Sequence, residues 1–142
     1  MVYLKKTPMA TIAKFEDLEI CQLARSLAQK IYSLTFIEPV KNDYRLKDQL
    51  RGSAGSAMDN IAEGFERSSR LEFINSLSIS KGEIRELKSQ LYRCADNNYI
   101  TQELFTELYA EADLVTKKVT AFINYLNSSN IKGQKFKNRT AS

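Results

Sequence analysis

Large apolar residues between Asp17 and Phe36 fall at Ile20, Leu23, Ala24, Leu27, Ile31 and Leu34. Steps of three and four place them on one face of an amphipathic helix. That helix is predicted to end near "FIEPVKND", where Pro39 lacks a backbone donor and disfavours helical geometry in the residue before it. A second run starts after Asn42 or Asp43, either of which can cap the free N–H groups of a helix start. Leu46, Leu50, Ala54, Ala57, Ile61 and Phe65 then follow at steps of four, four, three, four and four.

The second run crosses "GSAGSA", six consecutive small residues from Gly52 to Ala57. Such a stretch suits a phosphate-cradling loop, a linker, or a helix that another backbone approaches closely. The helical phase passes through it without a slip, which a loop has no reason to preserve. It also lacks the G-x-x-x-x-G-K-[ST] spacing, and no strand-like run precedes it. A mid-helix glycine costs about 1 kcal/mol relative to alanine. Close helix–helix contact around Gly52 and Gly55 is the expected compensation.

A third helix is predicted from Ser68 or Ser69, since Ser69 and Glu72 have the S-x-x-E spacing of a capping box. Its inner face reads Leu71, Ile74, Leu77, Ile84, Leu87, Leu91 and Cys94, and "DNN" at 96–98 offers a left-handed stop. In the fourth helix Thr101 is the predicted cap, Ile100 and Phe105 form a hydrophobic staple, and Phe105, Leu108, Ala112, Val115, Val119, Phe122 and Leu126 form the stripe. Short connections make successive helices antiparallel, so residues 15–127 are predicted to form an all-α, antiparallel up-down-up-down four-helix bundle. Residues 1–14 read as a basic N-terminal extension, and 128–142 as a basic tail of the composition that stays disordered. Tyr32, Phe36, Phe73, Ile79, Tyr109 and Leu114 lie off the main stripes, and some of them must lie on the outside of a single bundle, the kind of surface that favours a homo-oligomer.

Composition narrows the chemistry. The 142 residues suit one domain, and two prolines with five glycines are too few for a turn-rich β fold. No long apolar run occurs, and "MVYLKKTPMATIAKF" lacks an apolar core followed by a cleavage site, so a cytoplasmic protein without a membrane partner is expected. Cys21 and Cys94 form no C-x-x-C pair and read as buried small hydrophobes, without a disulfide in that compartment. The chain has no histidine, which removes Ser-His and Cys-His nucleophiles, H-E-x-x-H zinc sites and Glu-x-x-His di-iron sites. No cofactor and no metal are expected.

The net charge of +4 is carried by the ends. Residues 1–14 and 128–142 hold seven of the 21 bases and none of the 17 acids, so the body between them is net acidic. Lys132, Lys135, Lys137 and Arg139 of the tail are candidates for phosphate attraction. Within the body, Lys81, Arg85 and Lys88 recur at helical spacing and Tyr92 continues the strip. They read either as a phosphate-contacting surface or as a solvated face balanced by Glu83 and Glu86. Asn60 and Glu63, flanking Ile61, read as ligands at a bundle opening or, preferably, as a polar pair that fixes helix register. "EGFE" at 63–66 and "EIRE" at 83–86 are two E-x-x-E pairs, superficially similar to the magnesium-binding carboxylates of all-α nucleoside triphosphate pyrophosphatases, a weak signal without a third element. That pattern wants an aspartate where Glu86 stands.

"FEDLEICQLARSLAQKIYSLT" at 15–35, "QLRGSAGSAMDNIAEGFERSS" at 49–69 and "EFINSLSISKGEIRELKSQL" at 72–91 together resemble the bacterial four-helix-bundle family of proteins encoded in 23S rRNA intervening sequences. The most specific element is Asn60, Ile61, Ala62, Glu63 and Gly64, followed by an arginine-containing turn. The chain departs from the usual pattern at "FIEP", where many members have an aromatic–proline step, and at "RGS", which keeps only Arg51 of a usual arginine pair. The family is similar to the accessory proteins of diversity-generating retroelements, pentameric barrels that associate with a reverse transcriptase and nucleic acid. The resemblance implies a non-enzymatic assembly and binding protein with RNA or a nucleoprotein as partner and a pentameric homo-oligomer. It also implies Arg51 as a nucleic-acid contact, and Gly52, Gly55, Asn60, Glu63 and Gly64 as a structural motif. A purely protein-interacting scaffold is the alternative.

Overall fold

The computed structural model describes residues 12–67 and 69–128, which form four helices: α1 (Glu19–Leu34), α2 (Tyr44–Glu66), α3 (Arg70–Asp96) and α4 (Gln102–Asn127). Short 3-10 turns, Phe15–Asp17 and Val40–Asn42, lead into α1 and α2. Each helix packs on the next, and α4 returns against α1, where Lys30 pairs with Glu111 and Lys118 with Glu19. This is the predicted antiparallel four-helix bundle, with no strand among the described residues.

Local chemistry sets the helix boundaries. Asp43 caps α2 by accepting the Leu46 N–H at 3.1 Å, and its other oxygen accepts the Tyr99 hydroxyl at 2.9 Å, tying the start of α2 to the α3–α4 turn. That hydrogen bond holds the Tyr99 phenol above its ordinary value. Ser69 and Thr101 cap α3 and α4 by accepting from Glu72 and Leu104. The "DNN" stop forms as predicted: Asn98 is left-handed (φ 58°), Tyr99 N–H reaches the Cys94 carbonyl and Asn98 N–H that of Ala95. These are the two bonds of a Schellman motif.

The stripes of α1, α2 and α4 are buried, except that Leu23 and Phe105 are only partly so. α3 buries Leu77, Ile84, Leu87, Leu91 and Cys94 of its expected face, with Ile74 partly buried, and departs from it only at its first turn. Leu71, expected inside, is 65% exposed, while Phe73, read as lying off the stripe, is fully buried between Phe65 and Phe122. Tyr109, also off the stripe, is half-buried against Tyr92 and Phe105. Tyr32, Phe36, Ile79 and Leu114 are exposed. Ile12 is buried in the core.

α2 runs unbroken through "GSAGSA", but its close contacts fall elsewhere than at the two glycines. A Cβ on Gly52 or Gly55 would meet nothing within 4 Å, because Gly55 lies about half a turn from the buried stripe. The contact with α3 is made by Ser53 and Ala57: the Ser80 hydroxyl donates to the Ala57 carbonyl at 2.7 Å and Gln90 Nε2 to Ser53 Oγ at 2.9 Å. Among these glycines, Gly64 is the one that α3 approaches closely. A Cβ there would lie 2.6 Å from Ser76 Cβ and 3.0 Å from the Phe73 ring.

Candidate nucleic-acid interface

Thr35, the C-cap of α1, is fully buried, and its hydroxyl donates to the Tyr32 carbonyl at 2.6 Å. The same hydroxyl accepts from Arg51 Nε of α2 at 2.8 Å. This bond fixes the guanidinium plane where two rings of the α1 terminus meet it, 4.1 Å from the Tyr32 centroid and 5.0 Å from that of Phe36. The rings themselves pack edge to face at 5.3 Å. Both remain about half exposed, at 49% and 58%. Among the described residues, the terminal amino groups of Arg51 have no acidic partner.

Tyr44, Lys47 and Arg51 follow at i, i+3 and i+7 and therefore share a face of α2. Lys47 lies 4.9 Å above the exposed Tyr44 ring. The face thus alternates aromatic rings and cations, an arrangement that offers π surfaces and phosphate donors together. Arg51, the residue the resemblance singled out, is part of this face. Sequence reasoning noted Tyr32 and Phe36 only as exposed apolar residues and missed Tyr44 and Lys47. The i, i+3, i+7 spacing of "YRLKDQLR" was the available signal.

The other candidates lie apart from this face. Lys88 points to α4, where Asp113 takes its ammonium at 2.9 Å and the Tyr109 ring lies 5.1 Å away. Lys88 and Lys117 hold the Asp113 carboxyl below the usual carboxylate value. Tyr92 packs on Phe105 and Tyr109 of the same helix. Lys81 is half-buried and Arg85 exposed, and no acid pairs with either among the described residues. Lys132, Lys135, Lys137 and Arg139 lie outside the described residues.

Asn60 donates to the Ser56 carbonyl of its own helix at 2.8 Å, so this bond does not tie α2 to a neighbouring helix. Glu63 is exposed and pairs with Arg67 at 2.7 Å. No group of three or more acids, cysteines or histidines converges as a metal site among the described residues. Cys21 and Cys94 are buried, and burial pushes the Cys94 thiol up to about 11, so it is protonated at neutral pH. Among the described residues no helix is long and apolar enough to cross a membrane.

A family model described as 23S rRNA-intervening sequence protein matches residues 16–121. No curated protein matches the chain at a significant level. The chain is similar to a crystallised Bacteroides thetaiotaomicron protein of unknown function from the S23 ribosomal protein family. The two share 24% identity over 74% of this chain and 95% of that one, with a TM-score of 0.70. At that identity the likeness speaks to the fold.

Proposed function

The chain belongs to the 23S rRNA-intervening sequence protein family, and from that membership and the cation–aromatic face we propose that it is a non-enzymatic bundle protein that binds RNA. The observation that carries this reading is the Arg51 guanidinium, fixed by Thr35 and flanked by the exposed rings of Tyr32 and Phe36. Unstacked bases can lie on such rings, while a positioned guanidinium donates to the adjoining phosphate. Bases inside a duplex are already stacked, so the target is a single-stranded segment or loop. Lys47 adds a second cation, and Lys81, Arg85 and the tail cations Lys132, Lys135, Lys137 and Arg139 add phosphate attraction without sequence information.

Anisotropy titration of a labelled single-stranded RNA tests this. Stacking is worth about 1–3 kcal/mol per base, so Tyr32→Ala with Phe36→Ala should weaken binding at least about fivefold. Arg51→Ala should weaken it as well and reduce the salt dependence by about one phosphate contact. Unchanged affinity in the aromatic double variant removes this face from the reading. No binding at low salt would leave the protein-interaction scaffold in its place.

The reading includes a cytoplasmic homo-oligomer built from the 15–127 bundle, with a pentameric ring as its specific form. The resemblance to the accessory proteins of diversity-generating retroelements supports the ring, as do the exposed Ile37, Leu71, Ile79 and Leu114. A ring repeats one modest RNA site around an axis, so weak contacts combine through multivalency. Light scattering coupled to size exclusion should give a multiple of the 16.2 kDa chain mass. A mass that stays at one chain across concentrations would overturn the ring and the multivalency with it.

A further inference from the structure

A groove of about 400 Å³ runs along the outside of α2 and α3, remote in kind from the cation–aromatic face because its walls are acidic and polar. It exists because Gly52, Ser53 and Ser56 put almost no side-chain volume on that side of α2. Glu83, Glu86 and Gln90 form the opposite wall at i, i+3 and i+7 of α3. Arg93, also on the groove's wall, donates to Gln49 Oε1. The volume lies at the small end of the range for ligand sites.

Three acceptors on the α3 wall lack donors. Gln90 is only 7% exposed, and its Nε2 is committed to Ser53, yet its Oε1 has no hydrogen-bond partner. Buried carbonyl oxygens are nearly always paired, so this one marks a position where a donor is missing. Neither Glu83 nor Glu86 forms an ion pair among the described residues. Burial, and then the neighbouring charge of Glu86, push the Glu83 carboxyl above its usual range, and Arg93, the cation on the groove's wall, is engaged by Gln49 and pairs with neither acid among the described residues.

The missing ligand is therefore a cation rich in donors. A metal ion fits poorly, because hard cations want several oxygens converging on one point and no group of three acids does so among the described residues. The acceptors are instead strung out: Glu83 to Gln90 spans about 10 Å of helix axis. One ammonium, with three N–H donors, suits the Glu86–Gln90 end, and a second is needed to reach Glu83. An alkyl chain joining them can pass over the bare backbone at Gly52.

We propose that the α2–α3 groove binds a linear polyamine, with one ammonium held by Glu86 and Gln90 and another by Glu83. This inference is independent of the RNA reading, since the site, the ligand charge and the residues all differ. A single ammonium on a protein lysine shares part of the chemistry, and the experiment separates the two sources.

The test is calorimetric titration of spermidine into the full chain, nuclease-treated and at physiological salt, where diffuse counterion attraction is screened. One saturable site is expected. Glu83→Gln with Glu86→Gln should weaken it at least tenfold, whereas Glu38→Gln with Glu66→Gln, which removes the same charge elsewhere, should leave it intact. Gln90→Leu with Ser53→Ala, which removes the unpaired acceptor together with both ends of the Gln90–Ser53 hydrogen bond, should also weaken binding while leaving the melting temperature equal to or above that of the native chain. That combination separates a ligand contact from a merely structural glutamine. Absence of saturable binding, or equal weakening by both glutamate pairs, overturns the site. Binding of Nα-acetyl-lysine amide as tight as that of spermidine overturns the polyamine in favour of a protein lysine.

Discussion

Replacing Gly64 by alanine should destabilise the bundle by about 1–3 kcal/mol, the usual range for overpacking a close contact. The new methyl would lie 2.6 Å from Ser76 Cβ and 3.0 Å from Phe73 Cδ1. Neither neighbour can rotate aside. Ser76 Cβ is attached directly to the α3 backbone, and the Phe73 ring is wedged between Phe65 and Phe122. The helices must separate instead, which outweighs the gain of up to about 1 kcal/mol that alanine offers over glycine in a helix. Gly55→Ala carries that gain without the clash, since nothing lies within 4 Å of its Cβ position. Urea denaturation of the two variants should therefore give shifts of opposite sign. Ser76→Gly should recover much of the loss when combined with Gly64→Ala, because the two positions share one contact. A Gly64→Ala protein as stable as its parent would mean that α2 and α3 do not approach closely there.

Which glycine carries the contact was hidden from the sequence for a definite reason. Periodicity reports the direction in which a residue points from its own helix axis, and the run from Leu46 to Phe65 gave that correctly for α2. Distance to the neighbour depends on what the neighbour presents, and Ser76 enters the matter only once α2 and α3 are paired. Caps were legible because their chemistry spans three residues of one chain: Asp43 with Leu46, Ser69 with Glu72, Thr101 with Leu104.

The candidate interface divides the same way. Arg51 was reachable through the resemblance, and Tyr32 and Phe36 were recognisable as rings without a place in the core. What joins them is the hydrogen bond from Arg51 to Thr35, sixteen positions away on another helix. No local pattern encodes that pairing. Lys88 shows the converse: its charge and helical spacing suggested a phosphate contact or a solvated cation balanced by Glu83 and Glu86, and the fold supplies Asp113 from α4 as its partner instead. The Gln90 acceptor was equally invisible, because a glutamine in a helix is ordinary until burial takes its water away.

Phe73→Ala should be the most damaging single substitution considered, at about 3–5 kcal/mol, while Leu71→Ala should change stability by no more than about 0.5 kcal/mol. The contrast corrects the first turn of the inner face expected for α3, whose remainder from Leu77 to Cys94 is buried as expected. Leu71, Ile74 and Leu77 are spaced by threes and read as the start of a stripe, but steps of three drift around a helix of 3.6 residues per turn. The stripe that stays in phase is Phe73, Leu77, Ser80, Ile84, Leu87 and Leu91, all of them buried. Leu77, Ile84, Leu87 and Leu91 were legible in the sequence, and the serine between them hid only that Ser80 and Phe73 belong to the same stripe. Ser80 tolerates burial because its hydroxyl donates to the Ala57 carbonyl, so a polar residue serves as core at the α2–α3 contact. Removing the Phe73 ring leaves a cavity where its edge-to-face contacts with Phe65 at 6.0 Å and Phe122 at 5.6 Å had been. Thermal melts should show a loss on the order of 10 °C for Phe73→Ala and almost none for Leu71→Ala. The reverse order would require α3 to be turned so that Leu71 faces the core, and with it the wall that carries Glu83, Glu86 and Gln90.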